Sequence, residues 1–157
     1  MRASPLFEIA RIIFRQGVSI WPWFDKAPYV MPRILSVGQC GMDHFWIGRA
    51  IRKILGSEAE VAAAATFPDA IAAIEKDRFD LVLVNRITDR DGSLGVELIK
   101  TLKAHATAGL IPVMLVSNYP EAQQEAETLG ALPGFGKSNL NTSGVSDRLR
   151  RLLISSK

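Results

Sequence analysis

From residue 33 onward, short apolar runs alternate with longer stretches that carry apolar residues on one side only. "RILSV" (33–37) is a compact run closed by Gly38, while "DLVLVN" (80–85) and "IPVMLVS" (111–117) are unbroken, as strands covered on both faces are. "EVAAAAT" (60–66) is alanine-rich, which favours helix, but its place in the alternation predicts a strand. "GFGK" (134–137) predicts a short last strand. Between them, "HFWIGRAIRKIL" (44–55) sets Ile47, Ala50, Ile51 and Ile54 at helical spacing with Arg49, Arg52 and Lys53 opposite. "PDAIAAIEKD" (68–77) predicts a helix with Pro68 in its first turn, and "GVELIKTLKAHA" (95–106) predicts an amphipathic one. "PEAQQEAETLG" (120–130) ends on Gly130, a natural residue just past a helix, and "VSDRLRRLLI" (145–154) predicts a last helix.

Strand then helix, repeated five times, implies an α/β fold: a parallel sheet with helices on both faces. Five units in this length predict a flavodoxin-like, doubly wound five-stranded sheet of order 2-1-3-4-5, with its site at the carboxyl ends of the strands. Those ends are Gly38-Gln39, Asn85, Ser117-Asn118 and Lys137.

Composition narrows the class. The chain has 157 residues, 48% hydrophobic and 22% charged, the balance of one ordinary globular domain. A single cysteine, Cys40, excludes an internal disulfide and fits a reducing, cytoplasmic setting. No apolar run has the length of a membrane span, and Glu8, Arg11 and Arg15 interrupt the N-terminal apolar stretch as they would not in a signal peptide. Residues 1–32 hold four basic and two acidic groups, leaving 15 basic and 14 acidic in the rest, so the body is near neutral and gives little support for direct nucleic-acid binding.

One motif suggests a nucleotide. "ALPGFGKS" (131–138) fits the loose phosphate-loop pattern, whose backbone N–H groups and helix N-terminus surround phosphates. A true loop of this kind follows the first strand of a larger domain and needs an acidic Mg²⁺ ligand from a later one. After Ser138 only one helix remains, so Lys137 is expected to have another purpose.

The ordered motifs "RILSVGQ", "FDLVLVN" with "DRDG", "IPVMLVS", and "LGA" leading to Lys137 resemble the receiver domain of two-component response regulators over residues 33–155. The resemblance implies an acidic pair after the first strand, an aspartate ending the third that accepts a phosphoryl group, a Ser or Thr ending the fourth, and a lysine ending the fifth. Ser117 and Lys137 match. Gly38 and Gln39 stand where the acidic pair is expected, and Asn85 stands at the acceptor position. A carboxamide is a far poorer nucleophile than a carboxylate, and Mg²⁺ rarely binds without one or two carboxylates. The aromatic residue that the family carries three positions before the lysine is Gly134 here, and the adjacent Phe135 would point to the opposite face of its strand. No metal and no cofactor are expected.

Other residues have plainer readings. Asp89 and Asp91 fit a turn in "DRDG", although either could be a displaced acceptor. Asp43 could replace a lost acid, but its place before "HFWIGRAI" predicts an N-cap. His44 and His105 have no partners at metal-ligand spacing and read as surface or loop histidines, and Cys40 as a packed thiol. Residues 1–31 form an N-terminal extension, amphipathic or partly disordered, before a receiver-like domain at 32–157. "LFEIARIIF" (6–14) and "WPWF" (21–24) would suit a membrane surface, a docking segment or packing on the body, and "MPRILSVG" reads as an alternative start at Met31.

The sequence therefore predicts a non-enzymatic, degenerate receiver acting as a phosphorylation-independent interaction module in bacterial phosphorelay-type signalling. The expected face is the fourth helix, fifth strand and fifth helix, with Glu121, Glu125, Phe135, Arg148 and Arg151, meeting a kinase, an output domain or another receiver. A homodimer stays open. The alternatives are a module switched by an anion or small molecule in the vacated pocket, and last a small ATPase or phosphotransferase.

Overall fold

The computed structural model describes residues 31–154; the amphipathic and aromatic segments expected at 6–14 and 21–24 lie outside them. Five strands, β1 (Arg33–Val37), β2 (Glu60–Ala64), β3 (Leu81–Asn85), β4 (Val113–Val116) and β5 (Leu132–Phe135), pair in parallel in the order β2-β1-β3-β4-β5. Each is followed by a helix: α1 (Gly41–Leu55), α2 (Phe67–Lys76), α3 (Gly95–Ala104), α4 (Pro120–Thr128) and α5 (Ser143–Leu153). This is the doubly wound fold the alternation predicts.

Alternate strand residues feed two cores because successive side chains leave opposite faces of a sheet. Ile34, Leu81, Leu83, Met114, Val116 and Phe135 pack with Ile47, Ile51 and Leu149 from α1 and α5. Leu35, Val37, Val82, Val84 and Leu115 pack with Leu98, Ile99, Leu102 and Ala126 from α3 and α4. At the outer edge, Arg33 of β1 forms a fork onto Glu60 of β2, its Nε and second Nη donating over 2.8 and 2.9 Å.

Two elements and one residue depart from expectation. The last strand is "LPGF", not "GFGK": Pro133 lacks an N–H, which costs nothing on an edge strand paired on one side only. α1 begins three residues early, and its N-cap is Cys40, whose Sγ accepts from the Asp43 N–H at 3.4 Å; Asp43 sits in the first turn instead, where a carboxylate complements the helix dipole. His44 is a half-buried helical residue rather than a surface or loop one.

His44 gives the fold a pH dependence. Its buried Nδ1 finds no hydrogen-bond partner among the described residues. Burial, and then the charge of Arg52, hold its pKa below the ordinary 6.5. The folded chain thus binds this proton less readily than the unfolded one, so stability is full above 6.5 and falls as pH drops through and below it. The urea midpoint is expected to fall between pH 7.5 and 5, with a flatter profile in His44→Gln; identical profiles for both proteins would exclude His44 as the source.

Candidate functional site

The carboxyl ends of β1, β3, β4 and β5 bring together Gly38, Asn85, Ser117 and Lys137, with Gln39 and Asn118 beside them. A shallow cleft of about 250 Å³ is lined by Asn85, Arg86, Ser117, Asn118, Tyr119 and Lys137. Arg86 and Tyr119 carry no motif in the sequence; they meet because each follows a strand end, and the Arg86 guanidinium lies 4.6 Å from the Tyr119 ring centre.

Internal partners hold Asn85, Ser117, Asn118 and Lys137. The Asn85 carboxamide donates through Nδ2 to Gly38 O at 3.0 Å and to Ile87 O at 2.7 Å. The Ser117 hydroxyl accepts from the Tyr119 N–H at 3.1 Å. Ser138 Oγ donates to Asn118 Oδ1 at 2.9 Å. Lys137 Nζ pairs with the Asp43 carboxylate of α1. Lys137 above all holds that carboxyl below its ordinary 3.8, against burial, which pushes it up, and Cys40 helps to lower it. Both side chains are about one third exposed (34% and 38%), so the pair contributes only about 0–1 kcal/mol, but it fixes where the lysine points.

The first position after β1 is closed to any side chain. Gly38 has φ +73°, and a Cβ there would lie 2.6 Å from Cγ2 of Thr88, which is 1% exposed. Thr88 is itself fixed, its hydroxyl donating to Asp91 and accepting from the Ser93 N–H at 2.8 Å. Asp91 is thereby a member of the 88–93 turn, as "DRDG" predicts, and its pKa is lowered chiefly by Thr88 and then by Ser93. Asp89 donates its N–H to Gly38 O at 2.9 Å and its side chain is exposed.

The donor set does not fit Mg²⁺. Asn85 turns N–H groups, not oxygens, toward the β1 end; Gly38 has no side chain; Asp43 is taken up by a lysine. Among the described residues neither polar atom of the buried Gln39 amide has a hydrogen-bond partner, and this side chain gives a hard cation one neutral oxygen at most. A phosphate loop is equally unsupported: Lys137–Asn139 is one turn of 3₁₀ helix, and α5 opens only at Ser143.

The expected docking face needs correction. Phe135 is 2% exposed and lies in the core under α1 and α5, so it cannot contact a partner. Arg148 donates to Pro133 O and Gly134 O, both at 2.9 Å, which ties α5 to β5. Glu121, Glu125 and Arg151 are exposed. At Gly134, where the resemblance implies an aromatic residue, a Cβ would lie 2.1 Å from Leu115 O and 2.6 Å from Gln123 Oε1. The Gln123 amide lies beside Gly134, its Nε2 donating to Leu115 O at 3.1 Å and Ser117 O at 3.0 Å.

No protein-family model matches the sequence, and no curated protein does. Solved structures do. The chain is similar to the receiver domain of a DNA-binding response regulator from Colwellia psychrerythraea, with a TM-score of 0.66, 19% identity, and 77% of this chain and 97% of that one covered. It is also similar to the receiver domain of a signal transduction histidine kinase from Syntrophus aciditrophicus, at 0.64 and 19%, covering 80% and 92%. For the chemotaxis response regulator CheY4 of Vibrio cholerae the values are 0.61 and 21%, covering 79% and 100%. The described residues of this chain form a receiver-domain fold.

Proposed function

We propose that this chain is a receiver-fold signalling module that works without aspartyl phosphorylation and transmits its signal by binding other proteins of a two-component pathway. The observation that supports this reading best is the internal occupation of the site. Asn85, at the acceptor position, donates to two backbone carbonyls, and Lys137, the expected phosphoryl partner, is paired with Asp43. No nucleophilic carboxylate faces the lysine from β3, so nothing is in place to accept a phosphoryl group and no turnover is proposed.

The test is exposure of the full chain to Mg²⁺ with acetyl phosphate or beryllofluoride, followed by mass spectrometry and amide NMR. Unchanged mass and unshifted Asn85, Ser117 and Lys137 amides are expected. A saturable shift that reaches α5 would mean that Asp43 or Asp89 supplies a metal site and would overturn the reading.

A second variant sharpens it. Asn85→Asp puts a carboxylate opposite Gly38 O and Ile87 O, where two N–H donors stood. It is expected to cost about 1–3 kcal/mol at pH 7, the cost of unpaired buried polar groups, and to remain unphosphorylated. Facing two carbonyls raises the new carboxyl's pKa in the folded state, so the loss should shrink as pH falls through that pKa toward 4. A stable Asn85→Asp protein that takes up phosphate would show that only one residue separates this chain from an active receiver.

The cleft favours one second reading, an anion switch, because Arg86 joins Lys137 in lining it. An anion would have to displace Asp43 from Lys137. Inorganic phosphate that shifts the Lys137 and α1 amides saturably without Mg²⁺ would select this reading instead.

A further inference from the structure

A groove of about 650 Å³ opens at the amino ends of β3 and β4, the opposite end of the sheet from the cleft. Its apolar walls are Ile71 and Ile74 of α2, Phe79 just before β3, and Ile111 and Pro112 just before β4. Leu110 stands on its rim and is 82% exposed, the most exposed large apolar residue among the described ones.

Leu110 is held in this position by its neighbours. It ends the single turn of 3₁₀ helix at Ala108–Leu110, and its N–H donates to Thr107 O at 3.2 Å. The half-buried Lys103 donates through Nζ to the carbonyls on either side of it, Gly109 O at 3.1 Å and Ile111 O at 3.0 Å. His105 Nδ1 accepts from the Thr107 and Ala108 N–H groups at 3.3 and 3.2 Å. Covering a leucine fixed in this way removes apolar surface from water at little cost in backbone ordering, which is what an interface anchor requires.

We propose that the groove and Leu110 form a self-complementary interface between two copies of this chain, the Leu110 of each entering the groove of the other. Two observations favour a second copy over a different partner. Knob and groove sit side by side, so one two-fold axis satisfies both and closes the assembly at two chains; on separate faces they would build an open row of subunits. The rim also carries both signs of charge. Glu75 and Arg78 are exposed and, among the described residues, in no ion pair, whereas Asp77 is held by Arg33 at 3.6 Å. A second copy matches Arg78 to Glu75 twice across the axis, while a uniformly acidic or basic partner would oppose one of them. The inference goes beyond the reading of the site and does not depend on it, since the cleft stays open at the other end of the strands.

The experiment is sedimentation equilibrium of the full chain from micromolar to millimolar concentration, with amide NMR over the same range. The mean mass is expected to rise from monomer toward dimer, with saturable shifts at Ile74, Arg78, Phe79 and Leu110. Leu110→Ser should weaken association by about tenfold or more without moving the urea midpoint, because the side chain it removes is exposed. Arg78→Glu and Glu75→Arg should each weaken it as well, and the two together should restore it, as reciprocal pairing between copies requires. A monomer at millimolar concentration overturns the proposal. So does association that survives Leu110→Ser, a set of shifts confined to α1 or to α4, β5 and α5, or a charge exchange that restores nothing. A chain that stays monomeric while 1-anilinonaphthalene-8-sulfonate shifts the groove amides overturns it too, and makes the groove a small-molecule site. None of these outcomes bears on the Asn85→Asp and beryllofluoride results, so the two readings fail separately.

Discussion

Gly38→Asp, which puts back the first acid of the expected pair, should weaken the fold and bind no metal. The backbone at Gly38 is left-handed (φ +73°), a region that costs a side-chain-bearing residue roughly 1–2 kcal/mol, toward the lower end for aspartate. The new Cβ would also lie 2.6 Å from Thr88 Cγ2 and 3.1 Å from Thr88 Cα. Thr88 cannot swing aside cheaply, because its hydroxyl holds the 88–93 turn through Asp91 and the Ser93 N–H. Overpacking of this kind costs about 1–3 kcal/mol, for a combined loss of about 2–4 kcal/mol. Urea denaturation of Gly38→Asp and Gly38→Ala checks it, with alanine losing most of what aspartate loses because the collision begins at Cβ. An Asp variant within 0.5 kcal/mol of the parent, binding Mg²⁺ at millimolar concentration, would show that the acid was lost without any backbone change.

That prediction marks what the sequence could and could not disclose. β1, β3 and β4 were legible because both their faces are covered, so periodicity and burial coincide in RILSV, LVLVN and VMLV. β2, alanine-rich, was legible only through its place in the alternation. β5 begins two residues earlier than GFGK and includes Pro133, and only the sheet order reveals that it lies on an edge where the missing N–H is harmless. Gly38, Gln39, Asn85, Ser117 and Lys137 were located by their positions at strand ends, a one-dimensional signal. What holds them was not. Asp43 lies 94 positions from Lys137, and whether it caps its own helix or reaches across depends on where α1 begins, which Cys40 decides. Phe135 was assigned to the surface because alternation along a strand gives two faces but not which of them a helix covers; here α1 and α5 bury it. Gln123 and Thr88 left no motif at all, since their roles are set by the glycines they pack against.

Gly134→Tyr, which restores the aromatic residue expected three positions before the lysine, should be at least as damaging as Gly38→Asp. A Cβ at 134 would lie 2.1 Å from the carbonyl oxygen of Leu115 and 3.0 Å from its carbon, and both belong to the backbone of the neighbouring strand. No rotamer change relieves a contact with backbone. Relief requires β5 to move away from β4, which would stretch the Ser117 N–H to Phe135 O bond of 2.9 Å and pull on the Arg148 bridges to Pro133 O and Gly134 O. Strain and lost hydrogen bonds together make a loss on the order of 3 kcal/mol the expected result. Gly134→Ala separates the causes: an ordinary strand glycine gains about 0.5–1 kcal/mol on becoming alanine, whereas this one should lose nearly as much as the tyrosine variant. Truncating Gln123 to alanine in the same chain should not rescue it, because the closest collision is with Leu115 O and not with the Gln123 amide at 2.6 Å. If Gly134→Ala is neutral or stabilising, the two strands do not approach as closely as this. The position could then carry a side chain.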